Sequence, residues 1–302
     1  MNNALTIDPS KRQVLVNLGN RFVVFGPEGG LPEPPRFDPK ESAILPRVAD
    51  ESDVTEAHIA RTLQVFGLTR GKHATQSTDS ADIELVDSAG NRILVEVKVR
   101  EREPKKRDID LGIELIKQAK SKDQNLEVWF FNIERLKLTV MGFDKSGLRF
   151  DELVPMNVWE RTEEGIFERQ HVVEEVEDWL RRVERLYADV LDWLGDNKQL
   201  HFEQKRTVTM SEEIMQKFAV TDRELPVLDI LRDDQVVASF VPRGLWILGA
   251  WGRIDVITKD GTSVLVAIKK HNTFEWQLTS PNDRRRRKPF GKSVLLELVS
   301  GQ

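Results

Sequence analysis

A chain of 302 residues has room for two domains at roughly 150 residues each, and its 39% hydrophobic and 31% charged content makes it polar yet able to build a core. With no cysteine, disulfide scaffolds, thiolate zinc sites, iron–sulfur clusters and cysteine nucleophiles are excluded. The 45 basic residues against 50 acidic ones leave a net charge of −5, which excludes a global positive field for nucleic acid. No apolar run approaches the roughly 18 residues of a membrane span, so a soluble, cytoplasmic protein with only local basic patches is expected.

Val14, Val16 and Leu18, then Phe22 to Phe25, flank a Gly19-Asn20 turn, the pattern of a small β-hairpin. Six of the 13 prolines follow between Pro27 and Pro46, which reads as an irregular strap with a domain boundary near residue 50. From Asp53 to Met141 periodicity predicts helix, strand, strand, helix, strand: Val54 to Leu68, Ala81 to Val86, Ile93 to Val99, Asp108 to Lys122, and Val128 to Phe131. Mixing of this kind implies an α/β domain over residues 51–160, after an N-terminal hairpin and strap over 1–50.

Between Glu168 and Leu194 the series Val173, Val176, Leu180, Val183, Tyr187, Val190, Leu194 steps by three and four. One long connecting helix over 161–197 is expected, its seam covered by its own C-terminal domain or by a second copy. The remainder, 198–302, reads as β-rich, with strands at Val227 to Leu231, Val236 to Val241, Leu245 to Leu248, Ile254 to Thr258, Val264 to Lys269 and Val294 to Val299.

Chemistry concentrates in the hairpin Ala81-Asp82-Ile83-Glu84-Leu85-Val86 to Ile93-Leu94-Val95-Glu96-Val97-Lys98-Val99. Alternation puts Glu96 and Lys98 on one face of their strand. A three-residue Ser88-Ala89-Gly90 loop with left-handed Gly90 pairs Asp87 with Asn91 and so sets Asp82 opposite Glu96. Two facing carboxylates repel unless a cation lies between them. A hard ion, Mg²⁺ or Mn²⁺, held by Asp82, Glu96 and the Val97 carbonyl would suit the pair, with Lys98 placed to hold an attacking water.

Asp82 followed 14 residues later by Glu96-Val97-Lys98 resembles the D…(D/E)-x-K motif of the PD-(D/E)xK nuclease superfamily, the restriction-endonuclease-like fold. The helix-strand-strand-helix-strand order is similar to that superfamily's core, and the likeness covers residues 53–141. Ala81 stands where the family has its leading proline. The resemblance implies a metal-dependent nuclease acting on DNA in restriction, repair or mobile-element defence. It also implies an accessory acid on the preceding helix, for which Glu56 is the candidate, and a glutamine on the following helix, for which Gln118 is. Glu56 shares a helical stripe with Ile59, Leu63 and Phe66, but Asp53 with Glu56 is equally a capping box; Gln118 is equally an ordinary surface residue.

Phosphate contacts are expected from Arg100, Lys105, Lys106 and Arg107 beside the motif, and from the run Arg284, Arg285, Arg286 and Arg287, which otherwise forms a solvated loop. The hairpin around Asp255 opposes no second acid, with Asp260-Gly261 as the expected turn and Val266 facing Asp255. A binding protein on the same fold, docking nucleic acid or a protein partner without cleavage, is the alternative.

Overall fold

The computed structural model describes residues 13–27, 55–65, 69–70, 81–86, 90–144, 146–271, 273–280 and 283–300. They form a mixed α/β structure in two compact units, Met1–Gln170 and His171–Gln302. The proline-dense strap, Asp53 and the Ser88-Ala89 pair lie outside the described residues.

In the first unit β1 (Val14–Asn17) and β2 (Arg21–Pro27) form the expected hairpin around Gly19-Asn20, with Val14 level with Phe25 and Asn17 with Phe22, closed by Leu18 N–H on Arg21 O at 2.7 Å. Gly19 takes the left-handed φ of 90° that such a tight turn demands. The boundary near residue 50 does not set this hairpin apart from the α/β domain, because β2 pairs with β9 (Gly147–Arg161). The rest of the sheet comprises β3 (Gln64–Val65), β4 (Thr69–Arg70), β5 (Ile83–Val86), β6 (Arg92–Arg100), β7 (Leu126–Asn132) and β8 (Lys137–Asp144), in the order β3-β1-β2-β9-β8-β7-β6-β5-β4. A short β10 (Ile166–Glu168) adds to β9.

The helix expected over 54–68 is shorter than the periodicity predicts: α1 spans Glu56–Thr62, capped by Thr55, whose side chain accepts the His58 N–H at 3.2 Å, and the chain leaves it at Leu63 to enter strand β3 at Gln64–Val65. The His58 ring lies 2.9 Å from the Asn17 carbonyl and, with buried Ile59 and Leu63, ties α1 to the first hairpin. Helix α2 (Lys106–Ser121) links β6 to β7, which run parallel, and packs Ile116 and Ala119 on Val128, Phe130 and Met141. Gly112 lets that helix approach closely: a Cβ there would stand 3.3 Å from Met141 Cε.

Helix α3 (Arg169–Leu194), which belongs to the second unit from His171 on, is the expected long helix, but shorter than 161–197 because Arg161 ends β9 and Ile166–Glu168 is β10. Val176, Val183, Tyr187, Val190 and Leu194 are buried as expected, but Val172 and Trp179 take the places read for Val173 and Leu180, and Leu186 is buried beside Tyr187. The seam is covered within its own unit, with Tyr187 Oη donating to the Pro226 and Phe240 carbonyls at 2.9 and 3.1 Å. Beneath it lies an antiparallel sheet of β11 (Leu200–Met210), β12 (Arg223–Arg232), β13 (Gln235–Gly244), β14 (Arg253–Thr258), β15 (Gly261–Lys270), β16 (Thr273–Ser280) and β17 (Asp283–Pro289), in that order, with the short α4 (Glu213–Lys217) between the first two strands.

Three expectations change here. Val294 to Val299 is not a strand but part of α5 (Lys292–Ser300), with Val294, Leu295 and Val299 buried; an apolar run this short suits either element, and the one-sided burial selects helix. Leu245 to Leu248 forms no strand, since the Glu212 carboxylate takes the Leu245 and Trp246 N–H groups at 2.6 and 3.1 Å. The Asp255 hairpin turns at Lys259-Asp260, with Thr258 level with Gly261, which sets Val264 and not Val266 opposite Asp255. Gly261 at φ 123° takes the strained position of that turn.

Trp179 is fully buried, and a Cβ added at Gly252 would come within 2.2 Å of its ring, at a backbone φ of 127°. Gly252→Ala is therefore expected to lower stability by about 3 kcal/mol, from overpacking and an unfavourable φ together. Urea unfolding within about 0.5 kcal/mol of wild type would show that the indole yields freely.

Candidate functional site

The site arises from a mismatch in strand length. Strand β6 has nine residues and β5 four, paired from Val86–Arg92 to Ile83–Val95. This is the register that the sequence count gives, and Gly90 takes a left-handed φ of 81°. One step past the last pair, Asp82 comes level with Glu96. Its N–H donates to Val95 O at 2.9 Å, and its carboxylate accepts the Val97 N–H at 2.8 Å. Two residues on, the Val99 N–H donates to Glu56 Oε1 at 3.3 Å. Among the described residues, carboxylates from two other segments thus meet the edge of β6 where β5 has ended, and an unpaired backbone donor there would be costly.

Thr55 is the N-cap, so Glu56 is not at the third helical position that a capping box uses. The helix starts one residue after Thr55, so Glu56 sits in its first turn and reaches β6 instead. Lys98 stands between the acids, its Nζ 2.6 Å from Glu96 Oε1 and 3.6 Å from Glu56 Oε2. Val95 and Val97 are buried beneath, so Glu96 and Lys98 share the opposite face, where both side chains are largely covered.

Burial pushes the Glu96 carboxyl above the usual range, opposed by its bond to Lys98 and reinforced by the charges of Asp82 and Glu56. Burial works against the charge on Lys98, yet the bond and charge of Glu96, with Glu56 and Asp82, hold its ammonium above the ordinary value. Arg100 is taken up internally, with Nη1 3.3 Å from Glu56 Oε1 and Nη2 3.0 Å from Asp108 Oδ1. The Arg100 bond, with the Lys105 N–H at 3.0 Å, lowers the Asp108 carboxyl. Nothing in the strand pattern marks Asp108 for this task, which only the fold of α2 back toward β6 creates.

Gln118 is exposed on α2 and lines a shallow recess with Ala81, Leu94, Leu115 and Leu126, at the Leu94 end of the Glu96 face. Lys105, Lys106 and Arg107 are exposed around the start of α2. The arginine run, read as a phosphate contact or else a solvated loop, lies on β17, an edge strand paired with β16, and Lys288 bonds Glu297 of α5 at 2.9 Å. Charged residues on an edge strand also discourage pairing with another chain.

Asp82, Glu96 and Glu56 offer only oxygen donors, the set a hard cation takes. Among the described residues, no three His, Asp or Glu side chains already converge as a metal-holding cluster. None of their helices is long and apolar enough to cross a membrane. No protein-family model, curated protein or solved structure matches the chain.

Because the folded chain holds the Glu96 proton to higher pH than the unfolded chain does, folding binds extra protons just above the unfolded carboxyl pKa of about 4.3, and stability falls as pH rises through that window. Glu96→Gln removes the cost. It is expected to melt at or above the wild-type temperature at neutral pH, with the difference shrinking toward pH 4. A variant that melts lower at neutral pH would mean that the Lys98 bond outweighs burial and repulsion.

Proposed function

We propose that the protein is a metal-dependent nuclease of the PD-(D/E)xK type, hydrolysing phosphodiester bonds of DNA at the end of β5. The carrying observation is that Asp82, one residue before β5, comes level with Glu96 of β6 and accepts the Val97 N–H, with Lys98 on the Glu96 face and Glu56 within 3.6 Å of Lys98. The antiparallel β5–β6 pair, the α2 connection and the parallel β6–β7 pair agree with the core order of a restriction-endonuclease-like fold.

The donor set fits Mg²⁺ or Mn²⁺. Magnesium binds through one or two carboxylates and keeps several waters, so Asp82 and Glu96 with the Val97 carbonyl suffice. Such an ion, when bound, lowers the pKa of a water and offsets phosphate charge. Asp82 stays oriented by the Val97 N–H through Oδ2, which leaves its other oxygen for a ligand. Lys98, released from Glu96, holds the attacking water and faces the charge growing on the phosphate oxygens. Glu56 positions Lys98 and Arg100. The exposed Lys105, Lys106 and Arg107 supply phosphate contacts near the site.

One observation favours the alternative, a module that binds nucleic acid or protein without cleaving. Asp82 and Glu56 already have structural employment as acceptors for the β6 edge. Incubation of purified protein with plasmid, linear duplex and single strands in Mg²⁺ or Mn²⁺ separates the two. Cleavage is expected in wild type, with a loss of at least about 100-fold in Glu96→Ala and Lys98→Ala, the scale of a positioned proton-transfer or charge-stabilising group. Wild-type rates in either variant would move the chemistry elsewhere, and no cleavage of any substrate by the wild type would leave the binding module.

A further inference from the structure

The sheet of the second unit has two unlike faces. Phe240 on β13 meets the Tyr187 and Phe290 rings at centroid distances of 6.5 and 6.1 Å, so its face receives α3. Side chains alternate along a strand, and Ser239 and Val241 therefore face the other way. Ser239 is level with Asp229, and Val241 with Asp255; paired residues share a face, so both aspartates stand on the side away from Phe240.

Each aspartate is only 6% exposed, and a buried carboxylate has to be paired. Arg206 grips Asp229 through Nε and Nη2 at 2.9 and 2.5 Å, a balanced pair. Asp255 is shared between two arginines, with Arg243 Nε 2.8 Å from Oδ2 and Arg253 Nε 2.8 Å from Oδ1. Two guanidiniums on one carboxylate leave a net positive charge, and each bonds the anchor through its Nε. The two side chains remain 48% and 39% exposed. Their rotamers are already restricted by a buried anchor, so binding an anion costs little further order.

Arg287 stands on the same face. It is level with Thr279, which is level with Val264, which is level with Asp255. From β14 to β17 is three strand spacings, about 14 Å, which spans several phosphates at about 3.4 Å of rise per nucleotide. A single small anion would not use that reach; a polyanion would.

We propose that this face of the second unit binds the phosphodiester backbone of a nucleic acid, with Arg243 and Arg253 clamping a phosphate through their Nη groups and Arg287 meeting the backbone further along. It shares with the nuclease proposal only the choice of nucleic acid as ligand. Planar guanidinium forks match phosphate oxygens two at a time, so arginine and not merely positive charge is required.

The test is fluorescence anisotropy of labelled duplex DNA and duplex RNA over a salt series in EDTA, where cleavage does not contribute. Wild type is expected to bind at least one duplex. Arg243→Ala with Arg253→Ala is expected to bind more weakly, with a slope of log affinity against log salt shallower by about 0.9 for each phosphate that is no longer neutralised. Because that variant leaves Asp255 buried without its partners, the triple variant R243Q, R253Q, D255N is measured alongside, and it should show the same loss with a wild-type melting temperature. Arg287→Ala should give a smaller loss in the same direction. Wild-type affinity and slope in the triple variant, or no binding of either duplex by the wild type, overturns the clamp. Wild-type cleavage alongside unchanged binding in the triple variant would discard the clamp and leave the Glu96 site standing.

Discussion

The organisation of the first unit depends on β6 outrunning β5. An antiparallel pair satisfies backbone groups only as far as the shorter strand extends, and beyond Ile83 the edge donors of β6 need other acceptors. Asp82 meets Val97 and Glu56 meets Val99, so one backbone requirement draws acids from two distant segments to one place. Their gathering, with Glu96 on the adjacent face, then requires a cation, and Lys98 provides one. The concentration of carboxylates is thus tied to the backbone before any ligand is considered, and a site that binds metal would be built from the same constraint.

Arg100 shows how the constraint spreads. Its guanidinium joins Glu56 at the start of α1 to Asp108 in the first turn of α2, so both helix starts are tied to the end of one strand. Asp108 also accepts the Lys105 N–H, the bond that opens α2. A basic residue next to the motif therefore works as a brace, while Lys105, Lys106 and Arg107 remain exposed.

The second unit solves a different problem. Its long helix buries Val176, Val183 and Val190 completely, and Gly252 gives up a side chain so that Trp179 can lie against the backbone. On the other face of the sheet the buried acids Asp229 and Asp255 are neutralised by arginines that reach in from the surface. For Asp229, burial raises the carboxyl but the Arg206 and Ser239 bonds prevail and hold it below the ordinary range.

Much of this was legible in the residues. Period-two alternation around Gly19-Asn20 and Gly90, and the three-and-four stepping through Val176, Val183 and Val190, are local patterns set by backbone geometry, and they determined two hairpins, the register of the second, and the long helix. The same parity put Glu96 and Lys98 on one face. Tertiary structure decided what local pattern leaves open: that the first hairpin joins the main sheet, that Val294 to Val299 is helical, that the arginine run is a strand, and that Glu56 serves β6 and not its own helix. It also decided that Asp255, apparently an acid in an ordinary hairpin, anchors two arginines from neighbouring strands. Alternation and helical stepping are short-range consequences of φ and ψ, whereas a carboxylate's partner is whichever donor the folded chain brings within about 3 Å, and no spacing along the sequence encodes that.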